Sequence, residues 1–197
     1  MEAKILLPIV IASVIIFSIF ISYLIYLHKT ASAETIEEKV KNFDTSLVDE
    51  CEDLMLKNDL TFALCGIKYG KIYLREDTNF SPGEYVGLQV NLQKLNVPFE
   101  NYYSCAYINL PRYETAYPLK YGETKPEIFT KPTVFCSPLL NKKDYHHLGL
   151  SSFVLNMKGE YKVVEIYVFN GSLPENFKFE DNLDKGIKVF ELKGRIS

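Results

Sequence analysis

Tryptophan is absent from this chain of 197 residues, and so is any large charge excess: 22 Lys and Arg stand against 25 Asp and Glu, a net −3 dispersed along the length. A nucleic-acid binder concentrates positive charge on one face or tail, so no nucleic-acid partner is expected. The motifs that fix a reaction are missing as well. There is no GxSxG elbow, HExxH helix, phosphate loop or dinucleotide fingerprint, and the Gly-Lys of "GIKYGKI" lacks the Ser or Thr that would follow it. No catalytic residue, metal or cofactor is expected, and the chain does not read as an enzyme. The four cysteines avoid CxxC spacing, which sets aside a dithiol redox motif.

What is present begins with one long apolar run. Ile5 to Leu27 is 23 residues without a charge, enough at a rise of about 1.5 Å per residue to cross a hydrocarbon core of roughly 30 Å. Pro8 falls in the first turns, where its missing N–H costs least, and Tyr23 and Tyr26 fall near the far end, where amphipathic rings favour the interface. The expectation is a transmembrane helix over 5–27, in contact with membrane lipid. A cleaved signal has a shorter apolar core of about 7–15 residues. Ala31-Ser32-Ala33 nevertheless offers a peptidase site, so release after Ala33 stands as the alternative.

Orientation sets two signals against each other. Lys4 precedes the run and Lys29, Lys39 and Lys41 follow it, which counted literally places the large domain inside. Long domains translocate largely regardless of such charges, and Cys51, Cys65, Cys105 and Cys136 form an even set. The expected address is therefore the cell membrane, single-pass, with the C-terminal domain extracytoplasmic. Four cysteines allow three pairings, of which Cys51 with Cys65 and Cys105 with Cys136 is the one nearest in sequence; four free thiols are the other possibility. Disulfides also persist in hyperthermophile cytosols, so oxidation alone does not fix the compartment. Asn79-Phe80-Ser81 and Asn170-Gly171-Ser172 are glycosylation sequons, the first followed unfavourably by Pro82.

After the anchor, Ile36, Val40, Phe43, Leu47, Cys51 and Leu54 recur at helical spacing between Thr35 and Lys57. Thr35 can cap this helix, which reads as a stalk or as a helix packed on the domain, with Asp49, Glu50, Glu52 and Asp53 on its solvated face. "TFALCGI" and "KIYLRE" then flank Lys68-Tyr69-Gly70 as a hairpin. In "EYVGLQVNLQKL", Val86, Leu88, Val90 and Leu92 share one strand face and Gly87, Gln89 and Asn91 the other. "YYSCAYINL" follows, then a Pro-punctuated stretch from Pro111 to Pro138 suited to edge strands, then "LSSFVLNM", "EYKVVEIYVFN" and "GIKVFEL". Seven or eight strands result. The layout is a flank at 1–4, a transmembrane helix at 5–27, an amphipathic stalk helix within 28–58 and a β-domain at 59–197.

The succession "SPGEYVGLQVNLQKL", "CAYINL" and "LSSFVLNMKGEYKVVEIYVFN" resembles immunoglobulin-like β-sandwich modules of membrane-anchored surface proteins in archaea and bacteria. The resemblance implies a mainly β fold, an antiparallel β-sandwich, over about residues 60–195. It also implies a tyrosine corner at Gly159-Glu160-Tyr161, with Tyr161 in a structural role. The antibody-type inter-sheet disulfide and buried Trp are not part of it.

Side chains with chemical potential are few. His146 and His147 are adjacent, so both reach one metal only from a loop, with Asp144 as a third donor; a polar loop is the simpler reading. A Cys-His nucleophile would need a free thiol. "DNLDKG" resembles a calcium loop, but Leu192 occupies the place of the bidentate Glu. Tyr113, Tyr117 and Tyr121 would share a face of an extended segment and form a platform for a partner, or would pack on the domain edge. The expected function is binding of a protein or surface polymer as a structural or assembly component of the cell surface. A ligand-binding or sensing ectodomain is the alternative, and an enzyme with a site not visible in the sequence is a third reading.

Overall fold

Strand β4 (Tyr85–Asn91) is buried along its whole length, which an alternating strand facing water on one side would not be. The structure, a computed structural model, describes residues 35–114 and 127–197 together with Ser18, Ile19, Ile21 and Ser22. The run 5–27 therefore lies outside the described residues apart from those four, which are helical. Among the described residues no helix is long and apolar enough to cross a membrane.

The chain divides between Lys41 and Asn42 into two units. In the first, helix α1 (Ile36–Lys41) is closed by a reciprocal capping box: Glu38 N–H donates to Thr35 Oγ1 at 3.2 Å and Thr35 N–H to Glu38 Oε2 at 3.1 Å. The second unit, Asn42–Ser197, opens with helix α2 (Ser46–Lys57). The single helix expected over 35–57 is thus two. The Asp44 carboxylate explains the break, accepting from Ser46 N–H at 3.0 Å and Ser46 Oγ at 2.7 Å, so that a new helix start replaces continuation. Phe43, at the break, stacks on Tyr85 at 5.0 Å and meets Phe153 edge-on at 5.9 Å.

Twelve strands follow among the described residues, in two sheets. They are β1 (Phe62–Lys68), β2 (Lys71–Leu74), β3 (Asn79–Phe80), β4, β5 (Asn101–Ile108), β6 (Arg112–Glu114), β7 (Glu127–Phe129), β8 (Thr133–Cys136), β9 (Leu140–Asn141), β10 (His147–Val154), β11 (Gly159–Asn170) and β12 (Ile187–Ile196). The strands beyond the expected seven or eight are pieces two to four residues long at or next to the sheet edges, too short to show a period. One sheet has the order β2-β1-β4-β10-β6-β7; the other has β3-β12-β11-β5-β8, with β9 also on β5. All pairs are antiparallel except β3 with β12. The protein is mainly β. The hairpin between β1 and β2 turns at Tyr69 and Gly70, both at positive φ (53° and 72°), the geometry that matches strand twist.

The two sheets share one core. Leu64, Val86, Leu88, Val90, Leu150 and Val154 from the first meet Tyr102, Ala106, Ile108, Val164, Ile166, Val168 and Ile196 from the second. Val163 and Val164 are consecutive yet both wholly buried, because the β11–β12 register skips between Lys162 and Val164 and turns two neighbours inward. The outer face of the first sheet lies under α2, where Cys51 and Met55 pack on Ala63 and Cys65. That cover explains why both faces of β4 are dry. Of the two readings of the helix, packing on the domain is the one that α2 follows. The outer face of the second sheet carries Tyr103, Tyr107, Tyr167 and Phe169, and Phe177 and Phe179 of the β11–β12 connection fold back across it.

Candidate functional site

Glu52 brings the helix to the histidine pair. It sits on α2 among the acidic residues expected to face solvent, yet Tyr145 Oη donates to its Oε1 at 2.8 Å and His147 Nδ1 lies 3.3 Å from the same oxygen. His147 begins β10 opposite Asn91 of β4, and Tyr145 and His147 hold their rings 5.7 Å apart. Tyr145 ionises late, its pKa pushed up to about 12 by burial first and then by the Glu52 carboxylate. His146 lies between them; its carbonyl accepts from Leu92 N–H at 2.9 Å, and its Nε2 is shielded from water without a hydrogen-bond partner among the described residues.

Beside this cluster a cleft of about 560 Å³ opens where the two sheets part. Leu92, Leu148, His146 and His147 line it from one side, and Ser104 and Phe135 to Pro138 from the other. Ser137 Oγ accepts from Ser104 N–H at 2.9 Å and donates to Pro138 O at 2.9 Å, so this hydroxyl already has partners. Phe135 and Tyr145, which line the cleft, stay 44% and 40% exposed, an apolar rim with little of its own to cover it. The chemistry on offer is apolar contact with a few hydrogen-bonding groups. Among the described residues no cluster of His, Cys, Asp or Glu could hold a metal, and Asp144 does not join the histidines in one.

Both cysteine pairs are disulfides. Cys51–Cys65 ties α2 to β1, and Cys105–Cys136 joins directly opposed residues of neighbouring strands β5 and β8. No free cysteine occurs among the described residues, so the Cys-His arrangement has no thiol there. Tyr161 Oη, at the start of β11, donates back to Met157 O at 2.9 Å.

Tyr113 is half-buried on β6, paired in register with Phe153 of β10 and Ile128 of β7. Tyr117 and Tyr121 lie outside the described residues. With Tyr85 paired to Phe153, a row of apolar side chains runs across β4, β10, β6 and β7 from under Phe43 to an Ile128 that is 56% exposed. Arg112, next to Tyr113, is wholly buried, its guanidinium 4.4 Å over the Phe129 ring and 3.4 Å from Glu114 Oε2. Burial lowers the Arg112 pKa and raises that of Glu114, each opposed by the attraction of its partner. Sequence gave no signal for the contacts of Glu52 or Arg112, since each depends on which strands become neighbours.

The chain matches no known protein-family model, and neither a curated protein nor a solved structure matches it.

Proposed function

We propose that this is a single-pass membrane protein, anchored through residues 5–27, whose extracytoplasmic domain is an immunoglobulin-like sandwich that binds a protein or surface polymer at the cell surface. The observation that carries the reading is the pair of disulfides in a domain that follows an uncharged run of 23 residues, since such bonds persist chiefly outside reducing cytosol. The sheet neighbours β1-β4-β10 and β12-β11-β5, with Tyr161 bonded back at the start of β11, support the immunoglobulin-like assignment. The row ending at Tyr113 and Ile128 supports binding, because apolar side chains left at a sheet edge gain by being covered.

The test is the intact mass of the natively expressed protein in the membrane fraction, alkylated before and after reduction. A full-length chain whose four cysteines react only after reduction supports the proposal. A chain starting at Glu34 replaces the anchor with release after Ala33, and four cysteines that react without reduction remove the extracytoplasmic address.

The cleft beside His146 favours a second reading, a ligand-binding ectodomain, because its volume of about 560 Å³ falls in the range of small-molecule sites. Saturable shifts of the Ser104, Ser137 and His146 amide resonances on titration with p-cresol would support it. Resonances that stay fixed up to millimolar concentration would remove it.

A further inference from the structure

Two sequences in the chain have the form required of an N-glycosylation acceptor, and the fold separates them. In Asn79-Phe80-Ser81 the middle residue is wholly buried in the central core and paired with β12. The backbone around it is tied on every side: Asn79 N–H donates to Asp77 Oδ1, Asn79 O accepts from Arg75 Nη2, and Ser81 N–H donates to Glu84 Oε2. Drawing this segment into a transferase groove would extract Phe80 from the core. Asn170-Gly171-Ser172 is the opposite case. Asn170 ends β11 with an exposed side chain, Gly171 turns at φ +79°, and the residues 172–176 that follow are exposed. Neither the Asn170 amide nor the Ser172 hydroxyl has a hydrogen-bond partner among the described residues, so the reacting nitrogen and the recognised hydroxyl are both open.

We infer that Asn170 is the site at which this protein accepts an N-linked glycan from a lipid-phosphate-linked oligosaccharide. Asn170 Nδ2 attacks the anomeric carbon of the donor sugar and gives up a proton to the transferase. The C–N bond forms as the bond from that carbon to the phosphate oxygen breaks, and the lipid phosphate leaves with the electron pair. Nothing is oxidised or reduced. The inference rests on the extracytoplasmic orientation proposed above, because the transfer takes place on the translocated side of the membrane.

The experiment expresses the full chain in a eukaryotic secretory host and reads intact mass and gel mobility before and after peptide N-glycosidase treatment. Four forms are compared: the unaltered chain, Asn170→Gln, Ser172→Ala and Asn79→Gln. A companion chain carries Tyr69→Asn and Lys71→Thr, which puts an acceptor sequence at the tip of the β1–β2 hairpin, where residue 69 is 93% exposed and already at positive φ. The expected result is one glycosidase-sensitive glycan on the unaltered chain and on Asn79→Gln, and none on Asn170→Gln or Ser172→Ala. Should the hairpin acceptor be modified while Asn170 is not, the domain is translocated and the assignment of Asn170 is overturned by itself. A glycan that survives Asn170→Gln and is lost in Asn79→Gln overturns it too. If the hairpin acceptor also stays bare, the orientation is wrong and the assignment falls with it.

Discussion

Glu52 and Tyr145 stand 93 positions apart in the chain and share a 2.8 Å hydrogen bond, which fastens α2 to the loop entering β10. Because burial and then the Glu52 charge hold the Tyr145 proton on to about 12, the folded state keeps a proton between pH 10 and 12 that the unfolded chain releases. The resulting stability is complete below pH 10 and is lost as pH rises toward 12. Glu52→Gln removes the charge and leaves the burial, so the Tyr145 pKa should fall only part of the way back toward 10. Tyrosine ring-carbon NMR across that range measures it, and an unmoved resonance would mean the carboxylate is not coupled to the phenol.

Replacing Cys51 and Cys65 together by Ala should lower unfolding free energy by about 3 kcal/mol, the loop-entropy value for a closure of 14 residues. The same treatment of Cys105 and Cys136, 31 apart, should cost nearer 4 kcal/mol. Urea unfolding with and without reductant reads both. The first variant should also expose Met55 and Ala63, seen as a faster exchange of α2 amides.

How much of this architecture is legible in sequence depends on how local its cause is. The β1–β2 hairpin follows from a turn pair and flanking alternation, and it is where those signals place it. The cysteine pairs were open in sequence; chain proximity pointed to the pairs that form, but nothing local said that one would link a helix to a strand. The break after Lys41 was missed because apolar spacing continues through Phe43, while the competing Asp44–Ser46 bonds leave no periodic trace. The second dry face of β4 was not legible, since it depends on α2 lying over it. Similarly, Tyr113 was picked out by its spacing to Tyr117 and Tyr121, whereas its neighbours in the fold are Phe153 and Ile128, set by strand register.

Tyr161→Phe should destabilise the domain by about 1 kcal/mol, the usual net value of one hydrogen bond, with the ring still packed on the core. Gly194, which pairs with Tyr161, should tolerate change less well. A Cβ there would press on the Phe80 ring and stand 2.9 Å from Val163 Cγ2 and 3.0 Å from the Thr78 carbonyl. Gly194→Ala should therefore cost about 1–3 kcal/mol through overpacking, more than the tyrosine change, in the same urea titration.

Acid should act on the β11–β12 surface. Hydrogen bonds from Lys188 and then Lys193 hold the Glu191 carboxyl down to about 2, and the Lys188 ammonium is correspondingly raised. A depressed carboxyl contributes stability above its unfolded value of 4.5, and that contribution disappears as pH falls toward 2. Glu191→Gln should flatten that part of the stability curve. Because these groups are exposed, high salt should shrink the difference between the two proteins, and a salt-independent difference would point to another cause.

The placement of β12 has a temporal consequence. Its neighbours are β11, just before it, and β3, more than a hundred positions earlier, and Ile196 lies in the central core beside Phe80. A chain emerging in order can pair β1, β2 and β4 early, but until residue 196 is available β11 keeps a bare edge and Phe80 keeps an open flank. The slow step of folding should then be this late closure of distant contacts, and the interval before it is when the chain is most exposed to pairing with the wrong edge.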